Sequence, residues 1–185
     1  QSRGITVWDV KSKSSVVESF PLEVSSRSVC YDPTGKMVAI AGNDGTARIW
    51  NSANEKQVGQ LLHHKGWVHA TCFDPTGNLL ITGAEDGFLR VWKIGHESRP
   101  LDSKLASTMV YTLSVSPNDK FILAAAKYQN AHVSSVSDLQ KQATLLHSGY
   151  ILGVQTAGEQ FGFTGSQNPP SVKIWDIEKG KEIAS

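Results

Sequence analysis

The chain has 185 residues, of which 39% are hydrophobic and 19% are charged, a composition that is ordinary for a globular protein with a buried core. Eighteen lysines and arginines against 17 aspartates and glutamates leave a net charge of +1, and no basic run argues for a general nucleic-acid-binding surface. No apolar run approaches the roughly 20 residues of a membrane span, and the sequence contains neither a secretory signal nor an Asn-x-Ser/Thr site.

A short apolar pattern around a tryptophan recurs along the chain. Successive copies lie 42, 42 and 83 residues apart, the last spacing being close to two periods, and they carry Trp8, Trp50, Trp92 and Trp175. A period of about 40–45 residues is typical of repeats that contribute four strands each. The skipped copy falls near Ser134, which replaces the tryptophan, so we interpret that repeat as degenerate.

Turn signals separate runs that are typical of strands. Residues 32–35 and 74–77 both read Asp-Pro-Thr-Gly, in which proline presets φ and glycine accepts a positive φ at the exit. Asp44-Gly45 and Asp86-Gly87 carry the two-residue hairpin signal. The runs between these turns are short and rich in Val, Leu, Ile, Thr and Phe, which predicts buried strands and an all-β fold.

The segment from His64 to Trp92 resembles one complete repeat of the WD-repeat β-propeller family. Such repeats often tie their third strand to the first turn through a buried row of polar side chains, which at the family's spacing are here His64, Thr82, Asp86 and Trp92. The resemblance implies that the imidazole, hydroxyl, carboxylate and indole N–H satisfy one another out of water. We therefore interpret this His, Thr and Asp as structural and not as a hydrolase site.

The resemblance implies a β-propeller of four-stranded antiparallel blades, of which residues 1–185 form one incomplete part. Two strands plus four blades is not a whole number of blades, so we expect a larger ring. The resemblance implies seven blades, with a self-closing four-bladed ring as the alternative. The remaining blades would come from the rest of the chain or from another chain. We place the end of one blade at 1–24 and four blades at 25–62, 63–105, 106–146 and 147–185.

The other blades keep only part of the polar row. The residues at its positions are Leu22, Ile40, Asp44 and Trp50 in the second blade, Ala106, Tyr128 and Ser134 in the fourth, and His147, Thr164, Asn168 and Trp175 in the fifth. Asn168 replaces Asp only loosely, because Pro169 and Pro170 lengthen that turn. We expect the second strand of the fourth blade, residues 121–126, to rely on apolar packing alone.

No arrangement of residues predicts a catalytic or metal site. His63, His64 and His69 are close in sequence, but no cysteine or carboxylate joins them at a recognisable ligand spacing. The sequence has no Gly-rich phosphate loop before a helix and no Gly-x-Ser-x-Gly elbow. We therefore predict that the chain is not an enzyme and holds no cofactor and no metal.

In the WD-repeat family the functional surface is usually the narrow face, formed by the loop entering each first strand and the loop joining the second strand to the third. Protein interfaces concentrate aromatic residues, methionine and arginine at their hot spots. The residues that the resemblance implies for partner binding are Arg27, Asn43, Trp67, His69, Glu85, Met109, Tyr111, Lys127 and Tyr150, with Ser25 and Leu152 beside them.

The resemblance implies a non-catalytic scaffold that presents this face to proteins or peptides within a larger assembly. One alternative is a sensor or positioning propeller of a multidomain enzyme or signalling protein, and a weaker one is a subunit of a nucleic-acid-associated complex. The family's ubiquitin-ligase adaptor signature, Trp-Asp-x-Arg, is missing at both Trp8 and Trp175, which argues against a substrate-receptor role. We expect no membrane partner and no direct contact with nucleic acid.

The two cysteines bear on the compartment. Cys30 and Cys72 lie 42 residues apart at matching positions of successive repeats, so we expect both to be buried and too far apart for a disulfide. Free thiols fit a reducing compartment. We therefore expect an intracellular protein, in the cytoplasm, with the nucleus as the alternative.

Overall fold

The computed structural model describes residues 4–21, 24–95, 100–106, 108–127 and 130–185, and these residues form eighteen strands and no helix. In this part of the chain there is accordingly no helix long and apolar enough to cross a membrane. The strands are β1 (Gly4–Asp9), β2 (Ser14–Pro21), β3 (Ser26–Tyr31), β4 (Met37–Gly42), β5 (Thr46–Asn51), β6 (Gln57–His63), β7 (Val68–Phe73), β8 (Leu79–Ala84), β9 (Phe88–Lys93), β10 (Leu101–Lys104), β11 (Val110–Val115), β12 (Phe121–Ala126), β13 (Asn130–Ser135), β14 (Lys141–Leu146), β15 (Tyr150–Ala157), β16 (Phe161–Gln167), β17 (Ser171–Asp176) and β18 (Lys181–Ala184).

The strands pair in sequence order, each with its neighbour along the chain. Strands β1 and β2 form a two-stranded sheet, and β3–β6, β7–β10, β11–β14 and β15–β18 form four four-stranded sheets. All pairings are antiparallel. This arrangement confirms the prediction of an all-β fold made of four-stranded antiparallel blades. A ring of seven blades stays a prediction, as do the exact blade boundaries.

The first strands of successive blades lie side by side. Strand β7 contacts β3 on one side and β11 on the other, and β11 contacts β15. Hydroxyl pairs join these strands at equivalent positions: Ser28 Oγ lies 3.2 Å from Thr71 Oγ1, and Ser114 Oγ lies 2.9 Å from Thr156 Oγ1. The blades are therefore held to one another at their inner edges by polar contacts as well as by packing.

The core lies between blades and not within any single one. One cluster joins Ile49 and Leu62 of the second blade to Val68 and Leu80 of the third. Two further clusters join the third blade to the fourth and the fourth to the fifth. Strand β12 is buried along its whole length, since its neighbours cover both of its faces. A blade of this kind buries its apolar surface only when its neighbours are present.

The turns follow the chemistry of their residues. Asp74 Oδ1 accepts a hydrogen bond from the Leu79 N–H at 2.7 Å, which closes the turn that Gly77 leaves with a φ of 74°. Gly87 has a φ of 76° in the next hairpin, and a Cβ added there would lie 2.2 Å from the Ala106 carbonyl oxygen. Both glycines are required by backbone conformation, and Gly87 also by close approach of the following segment.

The cysteine expectation needs a correction. Cys30 and Cys72 are free thiols, as expected, but both are half-buried and not buried. Strand β3 alternates between exposed and half-buried positions, whereas β7, which has a first strand on either side, is mostly buried; among the first strands that the structure describes, β3 contacts β7 alone. Burial nevertheless raises the pKa of Cys30 to about 12, so this thiol stays protonated.

Leu22 and Tyr128, which the sequence analysis assigned to polar-row positions of the second and fourth blades, lie outside the described residues.

Candidate functional site

The predicted polar side chains of the third blade, β7–β10, lie in one continuous row. The Trp92 indole N–H donates to Thr82 Oγ1 at 2.8 Å, and His64 Nε2 lies 2.7 Å from the same oxygen. At the other end, His64 Nδ1 lies 3.2 Å from Asp86 Oδ1. The His64 side chain is fully buried and that of Asp86 is 7% exposed, so the row is closed to solvent. This geometry favours a structural role, which stays a prediction.

Arg90 is a fifth member of this row, and the sequence pattern did not reveal it. Its guanidinium donates to Asp86 Oδ2 at 2.8 Å and also contacts His64 Nδ1. Arg90 is 9% exposed, and its guanidinium lies over the Phe88 ring, with Cζ 4.8 Å from the ring centroid. A signal was present in the repeats: a cation stands two residues before the tryptophan at Arg48, Arg90 and Lys173.

The protonation of the row follows from these contacts. Burial, and after it the nearby Arg90 charge, lowers the pKa of His64 to about 4, against the opposing influence of Asp86. His64 is therefore neutral at neutral pH. Burial alone would raise the pKa of Asp86, but hydrogen bonds from Arg90 and from the N–H groups of Lys65 and Phe88 outweigh it and lower that pKa to about 2.

His64 makes the stability of this blade dependent on pH. Its pKa falls from 6.5 to about 4 on folding, so below pH 6.5 the unfolded chain binds a proton that the folded chain does not. We expect the free energy of unfolding to drop as the pH falls from about 6.5 to 4. Buried His132, with a pKa lowered to about 4 chiefly by desolvation, acts in the same direction.

Chemical denaturation across this pH range tests the expectation. His64→Gln should flatten the pH dependence, whatever it does to the absolute stability, because the titrating group is gone. His63→Gln is the matched control, since His63 is exposed and should leave the slope of the wild type unchanged. An NMR titration that finds His64 protonated at pH 6 in the folded protein would contradict the assignment.

The other blades hold only parts of the row. The Trp175 indole N–H donates to Thr164 Oγ1 at 2.8 Å in the fifth blade, which reproduces one step of it. In the second blade the indole N–H of Trp50 is buried without a partner in the described part of the chain, because Ile40 lies where the acceptor hydroxyl would be. Asp44 there pairs with Arg48 at 2.7 Å. The third blade therefore has the fullest row of these three.

Loops of the third, fourth and fifth blades border a single groove of about 640 Å³, which we call the rim groove. It lies where the loop entering each first strand meets the loop joining the second strand to the third. Seven of the nine residues predicted to contact a partner line it, namely Trp67, His69, Glu85, Met109, Tyr111, Lys127 and Tyr150. The sequence pattern placed Leu152 beside them, and Ile151, Gln167 and Asn168 complete the lining.

Planar side chains form a row along the wall of the rim groove. The Trp67 and His69 ring centroids are 6.2 Å apart, and His69 stacks on Tyr111 with centroids 5.8 Å apart. The remaining two predicted residues lie outside the groove. Arg27 Cζ lies 4.4 Å from the Trp67 ring centroid and so extends the row, whereas Asn43 lies apart, with its N–H donating to the Ser25 carbonyl at 3.0 Å.

Glu85 fixes the start of this row. Its Oε2 accepts the Trp67 backbone N–H at 3.2 Å, and its Oε1 lies 3.5 Å from His69 Nε2. Three aromatic side chains of the groove remain open to solvent, with Trp67 40% exposed and both Tyr111 and Tyr150 48% exposed. Within the described ranges, no group of three His, Cys, Asp or Glu side chains is arranged to hold a metal ion. The groove thus offers apolar and aromatic surface with one cation and one carboxylate at its border.

The four-stranded antiparallel blades, packed first strand to first strand, define a β-propeller repeat protein. Residues 21–51 and 55–93 match the family model "WD domain, G-beta repeat", which together with the propeller-like blades supports the predicted WD-repeat β-propeller family. WD repeats generally bind other proteins, and their propeller fold is typically not enzymatic.

Two similar proteins extend the comparison. Over 53 residues, which are 29% of this chain and 6% of the relative, the chain is 36% identical to the "Periodic tryptophan protein 2 homolog" of Schizosaccharomyces pombe. The crystal structure of the computationally designed Ika8 protein matches 98% of this chain with a TM-score of 0.84 at 21% identity, a likeness that shows the fold alone. The chain spans 55% of the designed protein and a small part of the curated relative.

Proposed function

We propose that this chain is part of a non-catalytic scaffold whose rim groove receives a protein or peptide segment within a larger assembly. The observation that carries the proposal is the exposure of three large aromatic side chains, Trp67, Tyr111 and Tyr150, around one groove. Exposed aromatic residues that converge on one concavity are unusual on a protein surface that has no binding function. We also propose that the protein acts inside the cell, in the cytoplasm or the nucleus, and without direct contact to membrane or nucleic acid.

The size and lining of the groove fit a peptide. Its volume of about 640 Å³ lies within the range of volumes that ligand-binding clefts have. Met109 and Leu152 supply deformable apolar surface, while the stacked pair of His69 and Tyr111 supplies a rigid wall. Rigid aromatic surface binds with little loss of side-chain entropy, which is why such residues dominate binding hot spots.

Alanine substitutions at the groove should separate binding from folding. Tyr111→Ala and Trp67→Ala should each weaken peptide binding by about 1–2 kcal/mol, as the loss of an aromatic anchor does. Both should leave the melting temperature nearly unchanged, because these side chains are about half exposed. The measurement is fluorescence anisotropy with peptides selected from a random library on the intact protein, beside thermal unfolding.

Tyr31→Ala is the matched control, since Tyr31 is 45% exposed on the second blade and does not line the groove. It should change neither binding nor melting. Selected peptides that bind the Tyr111→Ala and Tyr31→Ala variants equally well would refute the proposal. A Trp67→Ala protein that melts much earlier than the wild type would show that Trp67 is part of the core.

A further inference from the structure

We infer that the segment recognised by the rim groove is acidic, with a carboxylate side chain held by Arg27 and a large apolar side chain nearby in the groove. This inference rests on the proposed function and specifies its ligand. It follows from three features: the way Arg27 is held, the distribution of charge around the groove, and the distances along the planar row.

Arg27 lies over the Trp67 ring in a cation–π contact. Its Cζ is 4.4 Å from the centroid of that ring. A guanidinium in such a contact can still offer its N–H donors to a ligand, in a fork that matches a carboxylate. In the described part of the chain Arg27 has neither a hydrogen-bond acceptor nor an ion-pair partner. Arg27 is also exposed, so a ligand can reach these donors.

The charges around the groove favour an anionic ligand. Arg27 and Lys127 are both exposed and stand at different blades, Arg27 against Trp67 and Lys127 in the lining of the groove. Among the described residues, Glu85 is the one carboxylate that lines the groove, and its two oxygens already face the Trp67 N–H and the His69 ring. A cation entering beside Glu85 would compete with these contacts, whereas a carboxylate at Arg27 displaces no protein group.

The planar row limits how far apart the two ligand groups stand. From the Arg27 Cζ to the Tyr111 ring, through the rings of Trp67 and His69, the row takes three steps of 4.4, 6.2 and 5.8 Å. An extended peptide advances about 3.3 Å per residue. In such a peptide, a carboxylate at Arg27 and an apolar side chain against Tyr111 are therefore separated by at most about five residues. The expected motif is Asp or Glu followed or preceded within that distance by Leu, Met, Phe, Tyr or Trp.

Selection from a random peptide library on the intact protein tests the motif. Enriched sequences should carry an acidic residue within about five positions of a large apolar residue. Arg27→Ala should weaken their binding about tenfold or more, since charge-assisted bidentate hydrogen bonds are lost. Arg27→Lys should recover only part of the affinity, because lysine keeps the charge without the fork. Arg27→Ala should make no difference to a peptide whose acidic residue is replaced by Gln or Asn.

Lys56→Ala is the matched control, as it removes an exposed positive charge from the same blade outside the groove and should leave binding unchanged. Enriched peptides that lack acidic residues and still depend on Tyr111 would overturn the acidic ligand while leaving the proposed function standing. Binding only when the acid is replaced by phosphoserine would overturn the carboxylate assignment. Binding of single-stranded RNA in place of any peptide, tested by competition, would overturn both proposals.

Discussion

Replacing Trp92 with alanine is expected to lower the free energy of unfolding by about 3–5 kcal/mol, the range for deleting a buried tryptophan. Trp92 is 7% exposed and belongs to the apolar cluster that joins the second and third blades, where it packs with Ile49, Leu62 and Leu80. Its removal opens a cavity between two blades and also leaves Thr82 Oγ1 without its indole donor. Because the cluster spans both blades, the substitution should destabilise both of them.

Two further tryptophans provide matched controls for the packing and hydrogen-bonding parts of this effect. Trp92→Phe should cost more than Trp50→Phe, since Trp50 is equally buried but its indole N–H has no partner in the described part of the chain. Trp8→Ala should cost little, since Trp8 is 62% exposed. The measurement is urea unfolding of the intact protein, monitored by fluorescence and circular dichroism. Equal costs for Trp92→Phe and Trp50→Phe would show that the polar row adds nothing to stability.

The architecture could be predicted from the sequence because its signals are local and repeated. The Asp-Pro-Thr-Gly turns and the Asp-Gly hairpins act within a few residues, and the structure gives Gly77 and Gly87 the positive φ that these turns need. The tryptophan period then set the register of whole blades, including the degenerate one, where Ser134 is buried at the tryptophan position of β13. Repetition thus compensates for the weakness of any single strand signal.

The contacts between side chains were harder to predict because they depend on register and on neighbouring blades. Arg90 joins the polar row only because antiparallel pairing of β8 with β9 places it opposite Thr82. The rim positions followed from the repeat, but their convergence on one groove requires three blades to stand side by side, and Asn43 does not take part. The cation–π contact of Arg27 with Trp67 joins two blades, and no pattern in the sequence indicates it.

Asp86→Ala is the second large effect that we expect, a loss of about 3–5 kcal/mol, because it leaves a buried arginine without its counter-charge. Asp86 accepts hydrogen bonds from Arg90 at 2.8 Å and from the backbone N–H groups of Lys65 and Phe88 at 3.0 and 3.1 Å. Its loss would leave the Arg90 guanidinium beside neutral His64 with nothing to balance its charge. Asp44→Ala in the second blade is the matched control, since Asp44 pairs with Arg48 in the same way but is 24% exposed. It should cost only about 1 kcal/mol or less.

A double mutant separates the unpaired charge from the lost backbone contacts. Asp86→Ala with Arg90→Met removes both charges and keeps an apolar side chain beside Phe88. Its loss of unfolding free energy should therefore be smaller than the sum of the two single losses by about 0.5–3 kcal/mol.

The pH dependence of stability gives an independent check. The pKa of Asp86 is lowered from 3.8 to about 2 in the folded protein, so its stabilisation is complete above pH 3.8 and is lost as the pH falls through 2. The difference between wild type and Asp86→Ala should shrink over that range. Additive losses in the double mutant would mean that Asp86 stabilises the blade only through the backbone and that Arg90 does not depend on it. A difference that is constant with pH would contradict the lowered pKa of Asp86.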